Sequence, residues 1–338
     1  MNVLFGKTAK TLGGITFILA YTIFIVQAGT GNKKAASGIF ALLRKDKVQH
    51  PFNGLASEPC WGNPNIAGVV LRTDWATVEP ALGQYNWSFL DTGIDLARAN
   101  GKKIGISVDA GVYTPSWVYS LGAKTFTLSY GRMPAPWDPV FRTYWAEFLK
   151  QLASRYDNDR QLTFVTMAGP GRSVESFFAL SGADVAALNA SAGIQGWITA
   201  ANQNTDSYAN AFARTPFFSA TGVPARGYDD APMTAVIEFG LHTYPDRFGV
   251  QSNELSALTV TTGNFPHTNL QPSEISPIGF QLLHSAKSNL IGGTLKQALN
   301  NGIALGAYFI EVYEVDCDDP AQQAVISSAN QALLSAHP

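Results

Sequence analysis

Charged side chains are scarce in this chain. Lys, Arg, Asp and Glu together make up 14% of its 338 residues, and the formal net charge is −2. No basic stripe occurs, which argues against a nucleic-acid partner. The five histidines have no metal-ligand spacing, and the sequence contains neither a P-loop nor a dinucleotide-binding fingerprint. We therefore predict no metal and no cofactor.

Long apolar runs are missing as well, except near the N-terminus. Lys7 and Lys10 precede an apolar run at residues 15–26, and small residues follow it. This order is typical of a secretory signal peptide, and the run is shorter than the roughly 20 apolar residues that a membrane span needs. We expect residues 1–28 to be a signal peptide, with an uncleaved membrane tether through residues 12–28 as the alternative. The expected location is secreted, cell-surface or periplasmic.

The chain has only two cysteines, Cys60 and Cys317. In an exported protein, the oxidising compartment favours a disulfide between a lone pair of cysteines. Cys60 follows the first predicted strand and Cys317 follows the last, and closure of a barrel would bring those strands together. The sequence therefore predicts a disulfide between them, with two unrelated thiols as the alternative.

Apolar residues are plentiful and regularly arranged. They make up 46% of the chain, enough for one large core, and α/β barrels of this length form single domains. Short apolar segments alternate with segments of helical periodicity, which predicts parallel β/α units. The predicted strands lie at residues 52–56, 67–74, 103–109, 162–168, 247–253, 277–284 and 307–316. The predicted helices lie at residues 87–100, 138–156, 230–245, 293–301 and 320–335.

This alternation predicts the α/β class, with a (β/α)8 TIM-barrel-like single domain over residues 51–338. Seven strands are evident, so we expect an irregular or missing strand. Residues 29–50 are interpreted as a flexible polar tether. The less regular segment at residues 181–230 is interpreted as an elaboration over the mouth of the barrel.

The most informative motif joins the second predicted strand to the helix that follows it. Residues 72–91 read R-T-D-W-A-T-V-E-P-A-L-G-Q-Y-N-W-S-F-L-D. This segment resembles the W-x-x-[LV]-E-P-x-x-G-x-[YF]-x-[WF]-x-x-L-D signature of clan A glycoside hydrolases, most of all family 42 and related β-galactosidases. The resemblance implies a TIM barrel and a glycosidase that needs no cofactor.

Two glutamates are the catalytic candidates. Reactive groups of a β/α barrel lie at the C-terminal ends of its strands, and clan A enzymes carry the acid/base after strand four and the nucleophile on strand seven. Counted along the predicted strands, the resemblance implies Glu175 as the acid/base and Glu311 as the nucleophile. Val174 stands where the family has the Asn of an Asn-Glu pair. The alternative for Glu175 is a helix N-terminal glutamate that the helix dipole favours.

Strand alternation predicts that Glu311 points into the barrel, because the alternate face, with Ile310 and Val312, is apolar and suits the helices. The alternative is that Glu314 at the rim is the reactive carboxylate and Glu311 is only ion-paired. Clan A enzymes retain the anomeric configuration, which requires carboxylates about 5–5.5 Å apart. The resemblance thus implies that Glu175 donates a proton with a raised pKa and that Glu311 forms a glycosyl-enzyme intermediate.

Further side chains at strand ends and in predicted mouth loops are candidates for substrate binding. The resemblance suggests an arginine that keeps the nucleophile ionised, with a structural ion pair as the alternative. Carboxylates and amides suit sugar hydroxyls, and aromatic rings suit sugar faces. The candidates are Arg72, Asp74, Trp75, Asp109, Trp117, Trp137, Gln251 (or Asn253), Gln281 and Tyr313.

The sequence therefore predicts a secreted, retaining glycoside hydrolase that acts on β-linked glycosides or polysaccharide. Two other functions stay open. A carbohydrate-binding barrel that has lost catalysis is favoured by the missing Asn-Glu pair. A cell-surface transglycosylase would use the same two glutamates.

Overall fold

Eight parallel strands form a closed barrel in the computed structural model, which describes residues 34–44, 54–176 and 178–338. Each strand pairs with the next along the chain, and the first also pairs with the last. In chain order the strands are β1 (Gly38–Arg44), β2 (Gly68–Asp74), β3 (Lys103–Asp109), β4 (Leu162–Met167), β5 (Phe217–Ala220), β6 (Phe248–Leu255), β7 (Ile278–Leu282) and β8 (Ala307–Tyr313). The predicted (β/α)8 fold class is confirmed. The predicted signal peptide or tether lies outside the described residues.

Helices follow most of the strands, and local sequence signals start several of them. Asp138 caps one helix ahead of Pro139, and capping boxes begin two others. The helices are α1 (Ser88–Ala99), α2 (Pro139–Tyr156), α3 (Gly182–Asn189), α4 (Gly193–Ala211), α5 (Ala231–Thr243), α6 (Leu295–Ala304) and α7 (Gln323–Ala336). Shorter elements are the helical segments Trp75–Val78, Ser116–Ser120 and Glu314–Cys317 and a hairpin of Thr125–Leu128 with Gly131–Pro134. Within the described ranges, no helix has both the length and the apolar character that crossing a membrane requires.

Two strands lie where the sequence predicted none. β1 lies inside the predicted tether at residues 29–50. Its sequence G-I-F-A-L-L-R is apolar, but lysines precede and follow it, and they made the whole segment resemble a polar tether. β5 has only four residues and lies inside the segment predicted as an elaboration. The predicted first strand at residues 52–56 is wrong where the structure describes it, since Leu55–Ser57 forms a 3-10 turn. Consequently β7, and not β8, is the seventh strand of the barrel.

Phenylalanine rings packed over glycines fill the barrel interior near the N-terminal ends of the strands. The rings of Phe40, Phe164, Phe218 and Phe309 form one cluster, in which Phe164 and Phe309 stack with centroids 4.1 Å apart. A Cβ atom on any of four interior glycines would come within 2.3–2.4 Å of one of these rings. The glycines are Gly68, Gly105, Gly249 and Gly279. This aromatic floor leaves the polar side chains to the opposite, C-terminal half of the barrel.

The predicted disulfide is wrong. Cys60 and Cys317 are free, fully buried thiols in the described structure. Burial raises the pKa of both thiols, and a charge on Cys60 would raise that of Cys317 further, so the two side chains interact. Cys317 lies in the short helix after β8, where its Sγ contacts the Val312 carbonyl oxygen at 3.8 Å. Barrel closure thus brings the cysteines near each other without joining them.

Candidate active site at the C-terminal mouth of the barrel

Arg72 lies at the centre of the polar half of the barrel. Strand alternation in β2 points it inward, and its Nη2 donates to Gln281 Oε1 at 2.5 Å and to Glu311 Oε2 at 3.4 Å. Burial lowers the pKa of the guanidinium, but Glu311, Asp109 and Glu175 together raise it above its ordinary value. A permanently charged arginine is therefore surrounded by three carboxyl groups.

Glu311 lies on β8 and is completely buried. It points into the barrel with Phe309, while Ile310 and Val312 pack toward the helices, as alternation predicted. Gln251 Nε2 donates to its Oε1 at 3.0 Å, so both carboxyl oxygens accept a hydrogen bond. Burial raises the pKa of Glu311 to about 7, against the opposing effects of Arg72 and Gln251.

Glu175 lies in the loop after β4 and has the opposite pKa direction. Its Oε1 accepts from Asn253 Nδ2 at 3.3 Å, and its Oε2 accepts from the Ser173 hydroxyl. Burial alone would raise the pKa, but Arg72, Ser173, a backbone amide and Asn253 together bring it below the ordinary value. The prediction of a raised pKa for Glu175 is therefore wrong. The sequence alone did not reveal these hydrogen-bond donors.

A chain of amides joins the two glutamates. Gln251 Nε2 donates to Asn253 Oδ1 at 2.8 Å as well as to Glu311, and Asn253 in turn donates to Glu175. Thr166 on β4 donates to Gln251 Oε1 at 3.3 Å and fixes that amide. The two glutamates thus belong to one hydrogen-bond network.

Asp109 ends β3 directly opposite Asp74 at the end of β2. Both line a cavity of about 260 Å³ together with Arg72, and Tyr113 and Arg44 also border it. Burial raises the pKa of Asp109 to about 7, against the effect of Arg72, and the negative charge of Glu175 raises it further. Among the described residues, no group donates a hydrogen bond to its buried Oδ1.

The other two predicted carboxylates lie outside the cluster around Arg72. Asp74 caps the segment Trp75–Val78 by accepting from the Thr77 amide at 2.7 Å and from its hydroxyl at 2.9 Å. Glu314 begins the short helix after β8 beside Glu58 and Asp318, and burial raises its pKa to about 7. Neither carboxylate is among the groups that raise the pKa of Arg72.

Trp75 is a correction to the sequence-based site, because it is fully buried and cannot stack on a sugar. It packs against the rings of α2, and its Nε1 donates to Glu79 Oε2 at 2.8 Å. Glu79 Oε1 accepts from the Gly83 amide at 2.9 Å, and its carbonyl accepts from Trp117 Nε1 at 2.9 Å. The W-x-x-x-E-P-x-x-G motif therefore organises packing behind the mouth.

Two predicted side chains remain. Trp137 is half-buried and packs against Phe126 and Phe178. The Tyr313 hydroxyl donates to the Leu283 carbonyl at 3.4 Å. Sequence reasoning missed Ser173 and Tyr113. A polar residue two positions before a candidate glutamate and an aromatic residue just after a strand end were the signals available for them.

Comparisons with known proteins agree with this architecture. Residues 69–169 match the model of glycoside hydrolase family 42, described as beta-galactosidase. The catalytic domain of beta-amylase from Paenibacillus polymyxa superposes with a TM-score of 0.60 at 11% identity, covering 90% of this chain and 100% of that one. A beta-galactosidase from the psychrophilic Marinomonas ef1 superposes with a TM-score of 0.51 at 11% identity, covering 88% of this chain and 59% of that one. No curated protein has a significantly similar sequence.

At 11% identity the structural likeness shows the fold alone. The family match covers β2 through the end of β4 and includes the motif at residues 72–91. The resemblance to clan A glycoside hydrolases is confirmed, and the family match supports a glycosidase.

Proposed function

We propose that the protein is a glycoside hydrolase that acts on a β-linked glycoside or polysaccharide with retention of configuration. The observation that carries this proposal is the cluster of three carboxyl groups around Arg72. The pKa of Glu175 is lowered, while those of Asp109 and Glu311 are raised to about 7. Carboxyl groups whose pKa values are pushed apart can share the acid and base roles of glycoside hydrolysis.

In this proposal Glu175 is the nucleophile, because it is the member of the cluster that stays ionised. Its carboxylate attacks the anomeric carbon while the bond to the leaving oxygen breaks and a protonated carboxyl group donates its proton to that oxygen. Water, deprotonated by the same group, then displaces Glu175. Arg72, Ser173 and Asn253 stabilise the Glu175 carboxylate before the attack. Glu175 is therefore proposed as the nucleophile instead of the acid/base that strand counting implied.

The cavity at the mouth suits a sugar. Its lining combines polar side chains, those of Asp74, Asp109 and Arg72, with the aromatic ring of Tyr113. Carboxylates and guanidinium groups accept from and donate to sugar hydroxyls, and a ring can cover an apolar sugar face. We further propose that the substrate is met outside the cell, since the N-terminal 28 residues have the order of a secretory signal peptide.

Hydrolysis of a panel of nitrophenyl β-glycosides by the full chain tests this function. We expect Glu175→Gln to lower kcat by roughly 10³-fold or more, and azide to restore turnover of Glu175→Ala by forming a glycosyl azide of the opposite anomeric configuration. Glu238→Gln, on an exposed face of α5, is the matched control and should keep wild-type activity. Proton NMR of the first product should show the β-anomer.

The two rival functions give different results in the same assays. A carbohydrate-binding barrel would bind glycosides in calorimetry without releasing nitrophenol. A transglycosylase would release nitrophenol and transfer the sugar to an added acceptor in preference to water. An equal rate for wild-type protein and Glu175→Gln would contradict the proposed nucleophile.

A further inference from the structure

The proposed reaction needs a carboxyl group that donates a proton, and in two members of the cluster, Glu311 and Asp109, burial raises the pKa to about 7. The two carboxyl groups differ in whether their oxygens already accept hydrogen bonds. Both oxygens of Glu311 already accept hydrogen bonds, one from Gln251 and one from Arg72. A proton on either oxygen would compete with one of these donors. Glu311 is also completely buried, whereas Asp109 is half-buried.

Asp109, in contrast, lines the cavity and has a carboxyl oxygen that accepts no hydrogen bond within the described residues. It stands at the C-terminal end of its strand, where barrel enzymes carry reactive groups, and it lines the cavity at the mouth. Its Oδ1 is buried and has no hydrogen-bond partner within the described residues. A buried polar atom without a partner is costly and calls for an explanation. If the protonated carboxyl group turns Oδ1 toward the cavity that Asp109 lines, Oδ1 can donate to an oxygen of a bound ligand, and this cost is removed.

The charges around Asp109 suit a change of protonation during a reaction cycle. Arg72 and Arg44 stabilise the ionised form of Asp109, whereas Glu175 and Asp74 disfavour it. When Glu175 becomes esterified to a sugar, its negative charge disappears. The ionised form of Asp109 is then favoured, because Arg72 remains and the repulsion from Glu175 is gone. This change matches a group that has just given up its proton.

We propose that Asp109 is the proton donor that assists departure of the leaving group, with Glu175 as the nucleophile. This inference rests on the proposed function. In the first step the Asp109 O–H bond breaks, and its proton goes to the leaving oxygen as the glycosidic bond breaks and the Glu175 ester forms. In the second step ionised Asp109 takes a proton from the attacking water, and the Glu175 carboxylate is released. Glu311 is then a positioning residue that holds Arg72 and Gln251 in place.

Leaving-group dependence separates Asp109 from Glu311. The substrates are two β-glycosides of one sugar, with 2,4-dinitrophenol, which needs no proton, and methanol, which does. We expect Asp109→Asn to lower kcat/KM for the methyl glycoside by roughly 10²–10⁴-fold and for the dinitrophenyl glycoside by less than about tenfold. The loss of activity toward alkaline pH should disappear from its dinitrophenyl profile. Glu311→Gln should slow both substrates by the same factor and keep the alkaline loss.

A second variant guards against misfolding. Asp109→Ala leaves room beside the anomeric carbon, so azide should accelerate the dinitrophenyl reaction of this variant and yield a glycosyl azide of retained configuration. Thermal unfolding of each variant checks that it is folded.

Equal slowing of both substrates by Asp109→Asn, or leaving-group dependence in Glu311→Gln, would overturn the assignment of Asp109. If the wild-type protein hydrolyses no glycoside, the proposed function fails and this assignment fails with it. If Glu175→Gln is inactive and Asp109→Asn shows no leaving-group dependence, only the assignment of Asp109 fails.

Discussion

Arg72 connects the three carboxyl groups of the cluster, Glu311, Glu175 and Asp109. It donates to Glu311, lowers the pKa of Glu175 and opposes the rise in the pKa of Asp109. Its position follows from alternation along β2, but its effects on three residues from three other strands or loops do not follow from any one segment. One planar cation with several donors can serve several oxygens at once, which a lysine ammonium does with less directional control.

Arg72→Lys tests this role at the level of one residue. The charge is kept but the directed Nη contacts are lost, so we expect kcat to fall on the order of ten- to a hundredfold. The pKa of Glu175 should rise, because the cation that lowers it becomes less well placed, and the acidic limb of kcat/KM should move to higher pH. The measurement is a pH profile of wild type, Arg72→Lys and the surface control Arg98→Lys. An unmoved acidic limb in Arg72→Lys would show that Arg72 does not control the nucleophile.

Much of the site could be predicted from the sequence, because residues at the carboxyl ends of parallel strands meet at one end of a barrel. Arg72, Asp109, Gln251 and Gln281 lie together for this reason. Trp75 does not, because the chain turns into a short helix after β2 and directs its ring into the core. The pKa direction of Glu175 could not be predicted either, since it depends on donors from its own loop and from β6.

Among the secondary-structure elements, β1 and β5 are the two strands that the hydrophobic pattern of the sequence did not predict. β1 is buried on both faces, so it has no polar alternation to distinguish it from a short apolar segment in a tether. β5 is four residues long and equally buried. The wrongly predicted strand at residues 52–56 took the place of β1 in the count. The missed β5 therefore shifted the count by one and assigned Glu311 to strand seven. Long strands with a distinctive neighbouring turn, such as β2 and β3, were predicted at nearly their observed bounds.

The aromatic floor of the barrel depends on close packing between phenylalanine rings and glycines of neighbouring strands. Gly279→Ala would place a Cβ 2.3 Å from the Phe309 ring, which already packs against the rings of Phe40 and Phe164. We expect a loss of about 1–3 kcal/mol in the free energy of unfolding, typical of overpacking. Gly182→Ala, at the start of α3 with no atom within 4 Å of the new Cβ, is the control and should change stability little. Urea denaturation measures both, and equal stability of the two variants would contradict the packing argument.

At the scale of the whole molecule, buried carboxyl groups make stability depend on pH. The pKa values of Glu314, Asp109 and Glu311 are each raised to about 7 in the folded protein. Between the unfolded value and this one, the folded state binds more protons than the unfolded state, so stability falls as pH rises. We therefore expect the free energy of unfolding to decrease between about pH 4.5 and pH 7.

Glu314→Gln isolates one contribution outside the candidate site. The variant should resemble the wild type at pH 4 and be more stable at pH 8 by up to roughly 3 kcal/mol, because it never has to ionise beside Glu58 and Asp318. Urea denaturation at the two pH values gives the difference, with Glu238→Gln as the exposed control. A gain of the same size at both pH values would show that packing, and not ionisation, is responsible.

The seam of the barrel brings segments near residues 37 and 337 side by side. Ser37 Oγ donates to the His337 carbonyl at 3.0 Å, and the Ile39 amide donates to Asn330 Oδ1 at 2.8 Å. A short peptide linker could therefore connect Pro338 to Lys34, and new termini could be opened at the exposed Pro245–Asp246 turn, away from the mouth. The molecule thus lends itself to circular permutation, in which β1 and α7 become a continuous interior unit and the order of the strands around the cavity is unchanged.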